Sequence, residues 1–583
     1  MTQASWLRAC ASLAVLLALC AGCRRSLKLP SGERRPVPPQ RGGVLRTATY
    51  TDVRGLDPAL IMDEMSGILG RLMYDQLVTY DAQGKLALEL AETLDESQDG
   101  RKYVFGLRRG VLFHDGTELT AADFKRSLER MLHVDTPSPA ASFYTSIAGY
   151  TEYHAGKTPE LRGVRTEGRY TLTIELSELN PAFLHVLSLP LAAPVCASAG
   201  RVYRRNWVPC GTGPFKLKEL RRGQVARFTR HSGYFDKGRP YLDGIEWQLS
   251  MPPSTQRFKL ERGELDMVRD FGAADQLLFR SSAAWRAVSV YAESLATYGV
   301  AMNTELPPFD NRHMRRAVAF ALDNAQVALL RPGQVTAYPR LVPRAILPDW
   351  PGMRVQQHDP ARALEEMKRA GFAYEPRTGR GGYPKTIRLL ALADSFGQSA
   401  SEVHQQQLAR IGIRVQLDVV GWPAYLAQIA RRGTTAMASA GWGADYPDAS
   451  SFFEPLFSSA SIQGEESQNV SFFSNRELDS LLVEARRSGD AAARERLFRR
   501  AEEILVDEAP WAFGFTQSKL EIWQPYVQGY KPNPVLSEHV RFAWIDGGGR
   551  PARSALNGLE SVLPRLAART PRTTLAAVRG SLP

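Results

Sequence analysis

The chain has 583 residues, 44% of them hydrophobic and 23% charged, which excludes a fibre or a wholly disordered chain. Its length exceeds what one hydrophobic core usually serves, so two or three domains are expected. The net charge of +12 sits mostly at the ends, +5 in residues 24–42 and +5 in 547–583, leaving +1 for the body 43–546. A nucleic-acid binder gathers its basic residues on a folded face, so that class is excluded.

In chain order, Arg8 precedes an apolar run at 11–19, followed by Ala21, Gly22 and Cys23. One positive residue, a short apolar stretch and small residues at a cut make a secretory signal peptide of residues 1–22. The run falls short of the roughly 20 apolar residues that a membrane-spanning helix needs. A Cys directly after a small pair resembles the lipobox of bacterial lipoproteins, and Cys23 is the expected lipidation site. With Cys10 and Cys20 in the discarded segment, Cys196 and Cys210 remain, and two thiols in an exported chain read as one disulfide. Residues 23–42 are basic, Pro-rich and aperiodic, and read as a lipid anchor and solvated tether.

A strand then begins at Val44–Ala48. Lys102–Leu107 and Val111, Leu112 and Phe113 read as strands, with His114, Asp115 and Gly116 as a turn. Thr120 and Asp123 form a capping box that opens a helix through Met131. Asp310 is expected to cap a helix with Met314, Val318 and Ala321 on one face. Asp359-Pro360 starts another helix, with Gly371 after its end. Residues 414–420 alternate as a strand does, and 477–487 and 491–506 read as helices. After Asp546 the sequence turns Gly-, Arg- and Pro-rich, and 547–583 read as a disordered basic tail. The mixture indicates α/β lobes.

Several separated segments resemble the family 5 extracellular solute-binding proteins, the oligopeptide/dipeptide/nickel type serving ABC importers. They are GGVLRTATYTDVRGLDPAL near the start, AETL at 91–94 through FHDGTELTAADF, GTGPFKL at 211–217 and MNTELPPFDNRHMRRAVAFALD at 302–323. The HDPARALEEMKRAG helix and GWGADYPDASSFFEPLF at 441–457 complete the order, so the resemblance spans about 43–546. It implies a two-lobed periplasmic-binding-protein-like fold of type II, with an extra inserted subdomain and the ligand cleft between the lobes. The first lobe would comprise 43–59, an inserted subdomain at 60–178, then 179–291 and a return at 513–546; the second lobe would be 292–512. The chain would cross the hinge near 296–301 and again near 511–515.

The resemblance also implies a site. A peptide's α-ammonium needs a carboxylate partner away from water, because an unpaired buried charge is very costly. Asp445 matches the family position that pairs with the peptide's amino terminus; a turn or cap Asp is the structural alternative. Gly441 and Gly443 are small enough for a ligand backbone to approach. Trp442 is expected either to stack on a ligand side chain or to fill the lobe. Tyr298 at the hinge and Phe513 in the Trp511, Phe513, Phe515 alternation are further wall candidates. Where some oligopeptide binders carry Arg ahead of Ala-Gly-Trp, this chain has Ser439, which leaves capture of a peptide carboxylate unassigned.

The expected function is a monomeric, lipid-anchored, extracytoplasmic (periplasm or cell envelope) binder that delivers short peptides to ABC permease subunits with their ATPases. A nickel chelate, haem or oligosaccharide cargo, or a sensing lipoprotein of the same fold, stays open. The chain has no G-x-S-x-G elbow, H-E-x-x-H pair or P-loop, and its nine His show no ligand spacing. No enzyme activity, metal or cofactor is therefore expected.

Overall fold

The computed structural model describes residues 38–547, apart from 62, 82, 139, 140, 205, 206, 531, 532, 534 and 536–539. The expected signal peptide, the expected lipidation site Cys23, most of the expected tether and the expected basic tail lie outside the described residues. No helix among the described residues is long and apolar enough to cross a membrane.

Three main sheets organise two lobes. In the first lobe, Val44–Ala48 runs parallel to Gly244–Gln248, which continues antiparallel through Val225–Arg230 to Phe215–Arg221. Helix Glu64–Met73 packs Leu69, Leu72 and Met73 onto this sheet's Leu45, Phe215 and Trp247. A second, antiparallel sheet orders Ala91–Glu96, Lys102–Leu107, Thr171–Glu175 and Val164–Glu167. Helix Ala121–Leu132 covers it, burying Phe124 and Leu128 against Phe105, Leu172 and Ile174. Asp123 accepts hydrogen bonds from the Thr120 N–H at 2.9 Å and the Thr120 hydroxyl at 2.7 Å, which fixes the helix start. Cys196 and Cys210 are joined in a disulfide with Cα atoms 5.6 Å apart, closing a loop whose chain-entropy value is about 3 kcal/mol.

The third sheet belongs largely to the second lobe. Its order is Met267–Val268, Trp511–Trp523, Ala296–Met302, Met437–Gly443, Ile387–Leu392 and Val415–Val420. The long strand Trp511–Trp523 joins the lobes. Trp511 to Phe515 pair with Ala296–Met302, and Ser518 to Trp523 pair with Ser289–Glu293 and Met267–Val268. The segments 296–301 and 511–515 thus lie side by side and antiparallel. At Gly299 a side chain is excluded, because its Cβ would lie 2.2 Å from the Ala512 carbonyl oxygen.

Two local expectations need correction. Val111, Leu112 and Phe113 form no strand; Leu112 makes a single bridge to Glu118, since the His114–Gly116 turn leaves too short an arm for a ladder. The helix at 312–321 is capped by Asn311, whose side chain accepts from the His313 N–H at 2.8 Å, and Asp310 lies one residue further out. Both residue types cap equally well, so adjacent candidates do not reveal which is used.

Candidate functional site

The strand Met437–Gly443 pairs along its whole length with Ala296–Met302 on one side. On the other side Ile387–Leu392 meets it only at Met437 and Ala438. From Ala440 to Gly443 no strand among the described residues covers that edge, which is open to main-chain pairing with an extended ligand. Gly443 has no atom within 4 Å of where a Cβ would sit. At Gly441 the absent side chain instead makes room for Tyr298, whose Cδ1 would lie 2.3 Å from an added Cβ. Gly441 is thus required by the packing of the lobe before any ligand arrives.

Tyr298 is half-buried and stacks on Phe515 with centroids 5.3 Å apart and an 11° interplanar angle. Burial pushes its phenol up. Trp442 packs on the second-lobe core, and its indole N–H donates to the Ser451 carbonyl at 2.7 Å. Phe513 is not a cleft wall. It is 1% exposed, within a strand segment covered on both faces, and its ring meets Phe457. Two-sided burial made the Trp511, Phe513, Phe515 alternation uninformative about which face lines the cleft.

The loop after this strand separates two aspartates. Asp448 is the turn residue: it accepts from the Ser450 N–H at 2.9 Å and the Ser450 hydroxyl at 2.6 Å, and is held bidentately by Arg494 at 2.9 and 3.0 Å. Burial opposes its ionisation, but Arg494 and Ser450 hold its carboxyl below the usual carboxylate range. Asp445 is left with no such duty. Its N–H donates to Ser451 Oγ at 3.0 Å, while its carboxylate accepts no hydrogen bond and pairs with no cation among the described residues. The next residue, Tyr446, reaches across to the first lobe, stacking on His185 at 6.3 Å and meeting Phe143 edge-on at 6.2 Å. Asp445 is therefore one residue from a contact between the lobes.

Its side chain is exposed at the surface, yet the surrounding protein displaces enough water to push its carboxyl up to about 7. The water that still reaches it favours a smaller rise than a sealed site would give, in the same direction. A bound ammonium needs the ionised form, so occupancy would pull this proton off. Cargo affinity is accordingly expected to fall from about pH 7.5 to about pH 6, by at most roughly tenfold, with proton release on binding. Calorimetry in two buffers of different ionisation enthalpy measures both; a pH-independent affinity without proton release would contradict the assignment.

Two first-lobe residues, Tyr50 and Arg71, were not singled out from the sequence. Tyr50, just past the first strand, is 60% exposed, and its N–H donates to Asp270 Oδ2 at 3.0 Å. Its place at the carboxyl end of a lobe strand is the signal that could have found it. Arg71, on helix Glu64–Met73, carried no comparable signal. Among the described residues, one cluster of potential metal donors occurs, Asp115 with Cys196 and Cys210, and both sulfurs belong to the disulfide.

The sequence profile of the bacterial extracellular solute-binding proteins, family 5 Middle, matches residues 85–464. The glutathione-binding protein GsiB of Salmonella choleraesuis (strain SC-B67) is 28% identical over 470 residues, covering 78% of this chain and 85% of the relative. Among solved structures, the periplasmic binding protein DppA of Helicobacter pylori, in complex with peptide STSA, superposes with a TM-score of 0.74 at 24% identity. That match covers 87% of this chain and 99% of DppA. The murein tripeptide binding protein MppA of Escherichia coli gives a TM-score of 0.75 at 22% identity, covering 87% and 98%.

Proposed function

The chain belongs to the bacterial extracellular solute-binding proteins, family 5, and from that premise we propose that it captures a short peptide between its lobes and delivers it to an ABC permease. The observation that carries this reading is Asp445, an uncommitted carboxylate beside an open strand edge in the interlobe space. A cationic amino terminus satisfies the first feature and an extended backbone the second. The side chains need not be read closely, since main-chain pairing is indifferent to them.

The names of the relatives point the same way: glutathione, peptide STSA and a murein tripeptide are all small peptide-like molecules with ammonium and carboxylate groups. Closure would bend the two neighbouring crossing segments near 296–301 and 511–515, the hinge type of motion that couples occupancy to shape. Export through the segment 1–22 and lipidation at Cys23 would keep the binder at the membrane beside its permease. The role is capture and release, without catalysis.

Native mass spectrometry of the purified protein, followed by release and sequencing of what it carries, tests the reading. A family of short peptides is the expected result. A uniform sugar, haem or metal chelate in their place would overturn it.

A further inference from the structure

Helix Glu64–Met73 buries Met65, Ile68, Leu69, Leu72 and Met73, and leaves Glu64 exposed and Gly67 and Arg71 half-buried on one face. That face spans ~10 Å along the helix. At one end Glu64 pairs with Arg269 and with Lys519 of the long crossing strand. In the middle, a Cβ on Gly67 would meet only Ile61, at 3.8 Å, so there is room above it. At the other end Arg71 Nη1 donates to the Ser188 carbonyl at 3.4 Å. Ser188 in turn donates its hydroxyl to the His185 carbonyl at 2.7 Å, and the His185 ring carries Tyr446, the neighbour of Asp445. The face therefore runs from the crossing strand Trp511–Trp523 to the 185–188 segment, whose His185 ring meets Tyr446 of the second lobe.

Arg71 makes no ion pair among the described residues. The carboxylate whose charge it feels most is Glu89, which is already committed to Arg541 at 2.7 Å and to the Gln76 N–H at 2.8 Å. One long hydrogen bond to Ser188 leaves four of the five guanidinium N–H donors unused. Burial pushes this guanidinium down to about 10, so it stays cationic at neutral pH and uncompensated. Leaving a desolvated cation without a partner is unfavourable, and the arrangement suits an anion that arrives from outside. Ser439, which stands where some oligopeptide binders carry an Arg, supplies no cation, and its hydroxyl lies 2.9 Å from that of Ser401.

We propose that Arg71 holds a carboxylate of the cargo, so that the cleft grips a short zwitterionic molecule with its ammonium at Asp445 and its carboxylate on the first lobe. The ammonium half rests on the peptide reading; the carboxylate half does not. Binding through both lobes gives the closed state contacts that the open state lacks, which is the differential affinity that closure needs.

Calorimetry on the mature protein with trialanine and trialanine amide tests the proposal in wild type, Arg71→Gln and Arg71→Lys. Wild type is expected to prefer the acid over the amide by about tenfold or more, Arg71→Gln to bind both alike, and Arg71→Lys to recover part of the preference. If acid and amide bind wild type equally, Ala-Glu-Ala amide against Ala-Gln-Ala amide distinguishes an acidic side chain as the group held. If no peptide binds, the peptide reading fails by itself, and succinate and glutarate replace the peptides in a thermal-shift assay. A shift in wild type that vanishes in Arg71→Gln then keeps the assignment. An acid preference that survives in Arg71→Gln, or no carboxylate probe whose binding depends on Arg71, overturns it. Arg71→Lys retains the charge and serves as the folding control.

Discussion

Replacing Asp445 with Ala is expected to weaken cargo binding by ~10-fold or more while the protein folds as before, since losing one partner of a desolvated charge pair typically costs about 2–5 kcal/mol. Folding should survive because the carboxylate accepts no hydrogen bond from the described residues, and the Asp445 N–H keeps its bond to Ser451. Asp445→Asn should behave almost as Ala does, because it keeps the size and removes the charge. Asp448→Asn is the contrasting variant: it loosens the Arg494 pair and the Ser450 turn, so stability should drop before affinity does. A dissociation constant by calorimetry that is unchanged in Asp445→Ala would remove the amino-terminal anchor from the peptide reading.

Local chemistry was the readily legible part of the sequence. The Thr120–Asp123 box and the Asp359-Pro360 start lead into helices Ala121–Leu132 and Pro360–Arg369, because caps are satisfied within a single turn of chain. Asp445 was singled out differently, by the resemblance of 441–446 to the family motif, because local sequence alone leaves it indistinguishable from a turn residue such as Asp448. What sequence could not show depends on long-range burial. Gly441 read as a ligand-approach glycine, but its empty face is filled by Tyr298, which is 143 positions upstream and paired through the sheet. Phe513 read as a wall because alternation has two phases, and only the fold reveals that both are covered. Arg71 looked like any arginine of an amphipathic helix. Its isolation is visible only once Glu89 is seen to be taken by Arg541, from the far end of the chain.

The same long-range logic governs stability in the second lobe. Arg340 and Glu502 are almost fully buried and meet bidentately at 2.9 and 3.2 Å. Glu502 also accepts from the Leu341 N–H at 3.0 Å, and Arg340 reaches Asp349 at 2.6 Å and the Leu347 carbonyl at 3.2 Å. Burial pulls the two groups toward neutrality, but donors on both carboxylate oxygens favour the ionised pair. The pair ties helix Ala491–Glu508 to the segment whose Arg340 carbonyl accepts from Thr297, on the Ala296–Met302 strand between the lobes.

Glu502→Ala is expected to destabilise the lobe by about 3 kcal/mol, the low end of the range for breaking a buried pair, because Asp349 keeps one arm of Arg340 occupied. Denaturant unfolding followed by tryptophan fluorescence measures it. If the loss comes from stranding a charge, Arg340→Met combined with Glu502→Leu should cost less than Glu502→Ala alone. If the double variant is instead the less stable, the hydrogen bonds to Leu341 and Leu347, rather than the charges, hold this corner of the lobe together.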